Sequence, residues 1–330
     1  MRHPAAIRTS LAALVGVSLL LSACGPGGGA PSASPGTDPG TGVVDVVAST
    51  NVYGDIAAFI GGDKVKVASI ISKTSQDPHS YEATAQDRLL VSKAKLVIEN
   101  GGGYDTFLRK MADDSNVPHG NIVTAVDVAG LAPAGAHIES SPAASESAVA
   151  QAHPVFNEHV WYSLDAMDKL ADALAAKLGE LEPGSAGLFA SNAATFKAGV
   201  DGLAGKLAAL KAHDAGAAVA VTEPVPLYLL QAAGLQNRTP DAYTAAIEEG
   251  SDVPPAVLKA ATELAGSKDI KFLAYNEQTE GPQTQALKKA AESAGVAVID
   301  FSETLPEGKT YLQWMTDNVE NISKVLEKNS

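Results

Sequence analysis

Apolar and polar positions in the first third of the chain follow two alternating patterns. Short runs rich in Val and Ile have the length and composition of strands, and stretches with helical spacing of apolar residues lie between them. This order, β-α-β-α-β-α-β, predicts a parallel sheet covered by helices. The predicted strands are Val43–Ser49, Lys64–Ile71, Lys95–Glu99 and Ile122–Val126.

The second half of the chain repeats this organisation. Further strands are predicted at Ala217–Thr222, Ile270–Tyr275 and Val296–Asp300, with helical patterns between and after them. A helical pattern rich in Ala and Leu, Ser185–Ala212, separates the halves and would reach roughly 40 Å at ~1.5 Å per residue. The predicted fold class is therefore α/β, with two lobes, mainly parallel sheets, one long helix bridging them and a ligand cleft between them.

Two segments of biased composition interrupt these patterns. Residues 25–43 consist almost wholly of Gly, Pro, Ser, Thr and Ala, and such a stretch buries too little apolar area to offset its ordering entropy. We therefore predict a flexible spacer there. The stretch Leu131–Ala152 is rich in Ala, Ser and Pro, and we predict a mobile loop inside the folded part.

The N-terminus has the features of a secretion signal. Arg2 and Arg8 precede the apolar run Leu11–Leu21, which suits a signal-peptide core but is too short to span a bilayer. The run leads into the sequence LSAC, ending at Cys24, which resembles the bacterial lipobox whose cysteine receives a diacylglyceryl group. A plain signal peptide with a chance cysteine is the alternative. Cys24 is the only cysteine in the sequence, which excludes an intrachain disulfide.

The mature chain is strongly acidic. Removing residues 1–23 takes away two of the 24 Lys and Arg residues and no acid, so 22 basic and 38 acidic residues remain, a net charge of −16. This charge disfavours nucleic acid or an anionic lipid surface as a partner and tolerates cations. Most of the carboxylates are expected to be solvated surface groups, so the charge alone does not indicate a metal.

Two histidines occupy matched positions where a strand or loop turns into a helix. His79, in DPHSYE, follows the strand that ends at Ile71, and His159, in NEHVW, precedes a helix predicted from about Ser163. Ligands of open α/β folds are held at the carboxyl ends of the strands. Imidazoles and carboxylates that converge from several segments are donors for borderline divalent metals. Each histidine alone could be an ordinary loop residue, but the shared context favours a common site.

Two acids lie at corresponding strand ends in the second half. Glu223 follows the strand Ala217–Thr222, and Asp300 closes the strand that begins at Val296. An acid at a strand end is also common as the N-cap of the next helix, so both interpretations stay open for both residues. Further candidates for the cleft, each with packing or capping as the alternative, are Glu82, Trp161, Asn276 and Gln278.

Together, these segments resemble the metal-specific solute-binding lipoproteins of ABC importers for manganese, zinc and iron. The resemblance extends from about Val43 to Leu326. The segment DPHSYEATAQD, residues 77–87, is similar to the family's DPHxYExTxxD, and EHVW, residues 158–161, is similar to its PHxW. TEPV, residues 222–225, matches a strand end where the family carries His or Glu. Asp300, the TYL of residues 310–312 and Asn318 match the family's closing segment.

The resemblance implies a ligand set and an architecture. By position, the metal ligands are His79, His159, Glu223 and Asp300, and the two lobes are bridged by a long rigid helix. The implied organisation is a signal peptide over residues 1–23, a tether over 24–43, an N-terminal α/β lobe over 44–184, a bridging helix over 185–213 and a C-terminal α/β lobe over 214–330.

The resemblance also implies a function and its partners. We expect an extracytoplasmic monomer, anchored to the cell membrane by lipidated Cys24, that binds a divalent transition metal. It would deliver Mn²⁺ or Zn²⁺ to the permease and ATPase of an ABC importer, with no catalytic cofactor and no nucleic-acid partner. An extracytoplasmic metallohydrolase and an adhesive or structural surface lipoprotein are the alternatives, although no HExxH or GxSxG motif is present in the sequence.

The sequence departs from the family pattern at two places. Glu158 stands where the family usually has Pro before its second histidine, and it places a negative charge next to His159. The Leu131–Ala152 loop lies where zinc-type members often carry a His-rich tract, and here only His137 and, beyond it, His153 are found. We expect both to be surface residues, with transient metal collection as the alternative. The sparse histidines favour manganese slightly.

Overall fold

The computed structural model describes residues 42–73, 75–76, 78, 81–131 and 156–328. The predicted signal peptide, Cys24, nearly all of the predicted tether and most of the loop predicted at Leu131–Ala152 lie outside these residues, as do His137 and His153. Within the described ranges, no helix is long and apolar enough to cross a membrane.

The first lobe is built on a four-stranded parallel sheet. Its strands are β1 (Val44–Thr50), β2 (Val65–Ile71), β3 (Leu96–Glu99) and β4 (Ile122–Thr124), in the spatial order β2-β1-β3-β4. Val44, Val46 and Ala48 of β1 enter one hydrophobic cluster and Val47 enters another, so the strand is covered on both faces. The helices of this lobe are α1 (Asn51–Gly61), α2 (Ala85–Val91), α3 (Thr106–Asp114) and α4 (Ala125–Ala129).

The second lobe repeats this arrangement. Its strands are β5 (Ala218–Val221), β6 (Gln236–Asn237), β7 (Phe272–Asn276) and β8 (Ala297–Phe301), all parallel and in the order β6-β5-β7-β8. All seven predicted strands are present within two residues of the predicted bounds. The edge strand β6 was not predicted, because two residues are too few to show a period.

Two long helices lie between the sheets along the chain, α5 (Leu164–Leu181) and α6 (Ala186–Asp214). The prediction of a long bridging helix is confirmed, since α6 has 29 residues and extends roughly 44 Å at ~1.5 Å per residue. It packs against α1 and α5 of the first lobe and against the helices α7 (Leu227–Ala232) and α11 (Tyr311–Lys328) of the second. The remaining helices are α8 (Asp241–Glu248), α9 (Pro255–Ala265) and α10 (Pro282–Ala294).

The two lobes share one hydrophobic cluster. It runs from β1 and α1 through α5 and α6 to β5, β8 and α11. Hydrogen bonds reinforce the junction near the carboxyl ends of the strands. The side chain of Asn51 donates to the carbonyl of Leu305 (2.8 Å) and accepts its N–H (2.9 Å), and the Tyr162 hydroxyl donates to the carbonyl of Ser302 (2.8 Å).

Candidate metal centre

His159 lies in a tight turn at the junction of the lobes. Its backbone angles, φ −74° and ψ 51°, and the hydrogen bond from the N–H of Val160 to the carbonyl of Glu158 (2.7 Å) define an inverse γ-turn. A 3₁₀ turn, Val160–Tyr162, follows directly. The side chain of Asn100, at the end of β3, donates to the same Glu158 carbonyl (2.9 Å). The first sheet therefore fixes the backbone that presents the imidazole.

The imidazole of His159 is buried, and a side-chain oxygen of another residue faces each of its two nitrogens. Nδ1 is 2.8 Å from Oδ1 of Asn157 and 3.9 Å from Oε1 of Glu248, at the end of α8. Nε2 is 4.0 Å from Oε2 of Glu303. The ring also packs edge-on against Tyr104 and Trp161, with centroids 6.0 and 5.1 Å away. Nε2 is thus directed at a carboxylate of the second lobe.

Glu223 lies just beyond β5, and its side chain is buried. Its Oε2 accepts hydrogen bonds from the side-chain amide of Asn276 (2.5 Å) and from the hydroxyl of Thr279. The next helix, α7, begins only at Leu227, so Glu223 is not its N-cap. Of the two interpretations left open by the sequence, the structure favours a place in the cleft.

Asp300 does not join this group, contrary to the expectation for the fourth ligand. Its side chain is 54% exposed and its Oδ1 lies 3.6 Å from Nζ of Lys288 in α10. The physical reason is the two-residue period of a strand, which sends successive side chains to opposite faces. Ile299 and Phe301 point into the core, so Asp300 between them points outward. It does not cap a helix either, because α11 begins only at Tyr311.

Glu303, two residues beyond β8, occupies the position that was expected for Asp300. It is only 1% exposed, and its carboxylate contacts three groups: Asn276 at Oε1 (2.8 Å), the Tyr104 hydroxyl at Oε2 (3.2 Å) and His159. Burial raises the pKa of Tyr104 well above its ordinary value, with the Glu303 charge adding to the effect, so the hydroxyl stays protonated as a donor. In the sequence, Glu303 is an acid just past a strand end, whereas Asp300 lies within the strand.

Asn276 joins the two carboxylates. The same Nδ2 atom donates to Oε2 of Glu223 and to Oε1 of Glu303, which places the two buried acids side by side. A neutral amide orients them without balancing their charge. Buried charges are costly unless they are compensated, so this pair is suited to a cation. Of the four additional cleft candidates, Asn276 therefore has a direct structural role.

Gln278 and Trp161 are also part of the site, whereas Glu82 is exposed. Oε1 of Gln278 accepts the N–H of Glu303 (2.5 Å) and of Thr304 (2.9 Å), which turns the segment after β8 into the cleft. Nε2 of Gln278 donates to the carbonyl of Gln76 (3.4 Å). His79 itself lies outside the described residues.

The described residues supply only part of a complete metal site. Among the described residues, no group of three His, Cys, Asp or Glu side chains is arranged to hold a metal ion. With metal–ligand bonds of ~2.0–2.2 Å, an ion between Nε2 of His159 and Oε2 of Glu303, which are 4.0 Å apart, would be bound at an angle wider than tetrahedral. These two donors would therefore have to approach each other to hold a tetrahedral ion. Imidazole and carboxylate donors suit borderline divalent metals.

Comparison with known proteins gives consistent results. A family model described as ZnuA, zinc-uptake complex component A, periplasmic, matches residues 46–325. The manganese ABC transporter substrate-binding lipoprotein ScaA of Streptococcus gordonii is 24% identical over 313 residues, which cover 88% of this chain and 92% of that protein.

Solved structures share the fold. The SBP FpvC of Pseudomonas aeruginosa in complex with Mn²⁺ superposes with a TM-score of 0.66 at 20% identity, covering 87% of this chain and 100% of that one. The periplasmic zinc-binding protein TroA of Treponema pallidum gives 0.63 at 21% identity, covering 86% and 99%. The predicted architecture of two α/β lobes bridged by a long helix is confirmed.

Proposed function

This chain belongs to the ZnuA family of periplasmic zinc-uptake components, and on that basis we propose that it captures a divalent transition metal for an ABC importer. Family membership confirms the prediction of a binding component over an enzyme. The observation that carries the proposal is the position of His159 Nε2, 4.0 Å from Oε2 of Glu303 at the junction of the two sheets, with Asn276 linking Glu303 to Glu223.

We propose His79, His159, Glu223 and Glu303 as the ligands, with Glu303 in place of Asp300. Two neutral imidazoles and two carboxylates would bring a charge of −2 to an ion of +2, leaving a buried site near neutrality. Four protein ligands leave no obligatory position for water, unlike catalytic zinc sites. This composition suits a carrier that holds its metal and then gives it up.

The ligands would join the two lobes. Glu223 and Glu303 follow strands of the second sheet, whereas His159 and the segment of His79 belong to the first lobe. Metal binding would therefore favour a closed arrangement that the importer's permease recognises. The hydrophobic cluster shared by the lobes keeps that movement small.

The cargo is proposed to be Mn²⁺ or Zn²⁺. The names of its relatives include both metals. Carboxylates can bind through two oxygens and raise the coordination number, which suits Mn²⁺, but Zn²⁺ outranks Mn²⁺ in raw affinity for most nitrogen and oxygen sites. Competition between the two ions, and not tight zinc binding alone, would identify the cargo.

The proposed setting is the outer face of the cell membrane. The lipobox-like LSAC sequence supports lipidation at Cys24, and residues 25–43 would act as the tether. The name of ScaA, a substrate-binding lipoprotein, agrees with such an anchor. The proposed partners are the permease and ATPase of a metal importer, with the chain acting as a monomer.

The experiment that tests the ligand set compares two acids that are three residues apart. Residues 25–330, purified without added metal, are analysed for bound metal and titrated with Mn²⁺ and Zn²⁺ as wild type, Glu303→Ala and Asp300→Ala. We expect one equivalent in the wild type and in Asp300→Ala, and a loss of about 100-fold or more in affinity in Glu303→Ala, since a ligand should matter at least as much as its supporting residues.

His79→Ala extends the same test to the ligand that lies outside the described residues, and it should weaken binding as Glu303→Ala does. Absence of stoichiometric metal in the wild type would refute the proposed function. Weak binding in Asp300→Ala with normal binding in Glu303→Ala would instead restore the original assignment of the fourth ligand.

A further inference from the structure

Asn157 lies between the imidazole of His159 and the second lobe. Its Oδ1 is 2.8 Å from Nδ1 of His159 and accepts the N–H of the same residue (3.1 Å). Its Nδ2 donates to the carbonyl of Pro224 (3.0 Å), the residue after Glu223. The hydroxyl of Tyr228, in α7, donates to the Asn157 carbonyl (2.7 Å). One side chain therefore contacts a proposed ligand and the segment of another.

These contacts fix the orientation of the amide without reference to any ligand. A main-chain carbonyl accepts and cannot donate, so the group facing Pro224 must be the Asn157 NH₂. A main-chain N–H can only donate, so the group facing the N–H of His159 must be the Asn157 oxygen. Both constraints give the same assignment, which removes the usual ambiguity between the amide oxygen and nitrogen.

The amide orientation in turn fixes the imidazole. Because Oδ1 of Asn157 is an acceptor, Nδ1 of His159 must carry a proton to hydrogen-bond with it. In a neutral imidazole the proton on one nitrogen leaves a lone pair on the other. That other atom, Nε2, is the one directed at Glu303. Oε1 of Glu248 also faces Nδ1, but at 3.9 Å it is beyond hydrogen-bond distance.

We propose that Asn157 is a positioning residue that holds His159 in the Nδ1–H tautomer, with Nε2 free of a proton and ready to bind metal. The inference rests on the proposed function in assigning a metal to Nε2. Residues that support ligating histidines in this way typically change metal affinity by about 10- to 100-fold when they are removed. Since Pro224 and Tyr228 hold Asn157, the second lobe orients a ligand of the first.

The tautomer is measured directly in metal-free protein. Residues 25–330 labelled with ¹⁵N-histidine, stripped of metal with a chelator and held at pH 8, are observed by two-bond ¹⁵N–¹H correlation NMR, with His159→Gln assigning the signal. The wild type should show Nδ1–H at His159. Asn157→Ala should shift the proton toward Nε2, next to Glu303, and weaken Mn²⁺ binding about 10- to 100-fold.

Two matched variants distinguish the positioning of His159 by Asn157 from a general disruption of the site. Asn157→Asp loses the donor to Pro224 but keeps an oxygen acceptor for Nδ1–H, and its negative charge also favours a proton on Nδ1, so it should keep the Nδ1–H tautomer. Glu248→Gln, which alters the more distant acceptor, should keep it too. An Nε2–H signal in the wild type would overturn the inference whether or not any variant folds. So would an unchanged tautomer in folded Asn157→Ala, or loss of Nδ1–H in Glu248→Gln.

Failure of the proposed function is recognised separately. If the wild type has the Nδ1–H tautomer but binds no Mn²⁺ or Zn²⁺, the capture proposal fails while the orientation of His159 by Asn157 stands. If the wild type binds metal and Asn157→Ala retains both tautomer and affinity, only the positioning role fails.

Discussion

At the scale of single residues, Glu99 combines burial with a position next to the centre. Its side chain is 2% exposed at the end of β3, where Oε1 is paired with Arg109 and accepts the hydroxyl of Thr124 (2.8 Å). Burial raises the pKa of Glu99 from 4.5 to about 7, and the charge of Asp105 adds to the shift. The next residue, Asn100, holds the carbonyl of Glu158 beside His159.

This raised pKa predicts a specific dependence of stability on pH. A carboxyl whose pKa is higher in the folded chain holds its proton more tightly when folded, so its contribution to stability is lost as the pH rises from about 4.5 to 7. At ~1.4 kcal/mol per pKa unit, the fall in unfolding free energy would be at most about 3–4 kcal/mol. Denaturant unfolding between pH 5 and 8 should show a flatter pH profile for Glu99→Gln than for the wild type.

Glu263→Gln is a suitable control, because Glu263 is an exposed acid whose side chain lies 3.6 Å from Lys259 on the same helix. Its pH profile should follow the wild type. A Glu99→Gln profile parallel to the wild type would show that Glu99 ionises near its ordinary pKa in the folded chain.

The identity of the candidate ligands also depends on single residues, and here prediction from sequence was incomplete. His159 and Glu223 were predicted because residue type and strand position point to them together. Glu303 was not, because its direction depends on where the chain leaves β8, and Gln278 sets that by accepting two consecutive N–H groups. The sequence pattern shows only how residues are spaced along the chain. The turn after β8 is held by Gln278, which lies 25 positions before Glu303, so the pattern could not predict it.

At the scale of elements, α6 owes its position to a narrow apolar stripe. Its six buried residues are spaced alternately four and three apart, which keeps them on one face of the helix. They are Phe189, Ala193, Phe196, Val200, Leu203 and Leu207. The stripe faces α1 and α5 of one lobe and α11 of the other. The helix is thus a shared support for both sheets.

Truncating a side chain within this stripe should lower the unfolding free energy far more than truncating a side chain beside it. Leu203→Ala removes a side chain that is 4% exposed and should lower the unfolding free energy by about 2–5 kcal/mol through lost burial and a cavity. Leu188→Ala, on the same helix but 39% exposed, should change it by no more than about 0.5 kcal/mol. Urea unfolding measures both, and equal effects would contradict the stripe as the origin of the helix's position.

The elements were largely predictable because their signals are local. Buried parallel strands appear as β-branched runs, and α6 appears as a long helical pattern without an internal proline. β6 was not predicted, because its two residues form a strand only by pairing with β5 and show no sequence pattern of their own. The ends of α6 differ from the predicted Ser185–Ala212 by one and two residues, since capping and fraying are decided after packing.

At the scale of the whole molecule, the shared core makes the lobes cooperative. The same hydrophobic cluster includes residues of both sheets, and hydrogen bonds such as those between Asn51 and Leu305 cross the junction. A ligand held between lobes that share a core stabilises the whole unit, because unfolding either lobe exposes apolar surface of the other. Domains with separate cores would respond independently.

Calorimetry of residues 25–330 should therefore show a single unfolding transition in which both lobes melt together. Mn²⁺ at about 100 times its dissociation constant should raise the unfolding free energy by about 2.7 kcal/mol without splitting that transition, because a ligand that binds only the folded state stabilises it by mass action. Glu303→Ala at the same Mn²⁺ concentration should gain no more than about 0.4 kcal/mol, because a site weakened 100-fold or more is at most half occupied. Two resolved transitions, with only one shifted by the ion, would mean that the metal is bound within one lobe and that the shared core does not couple them.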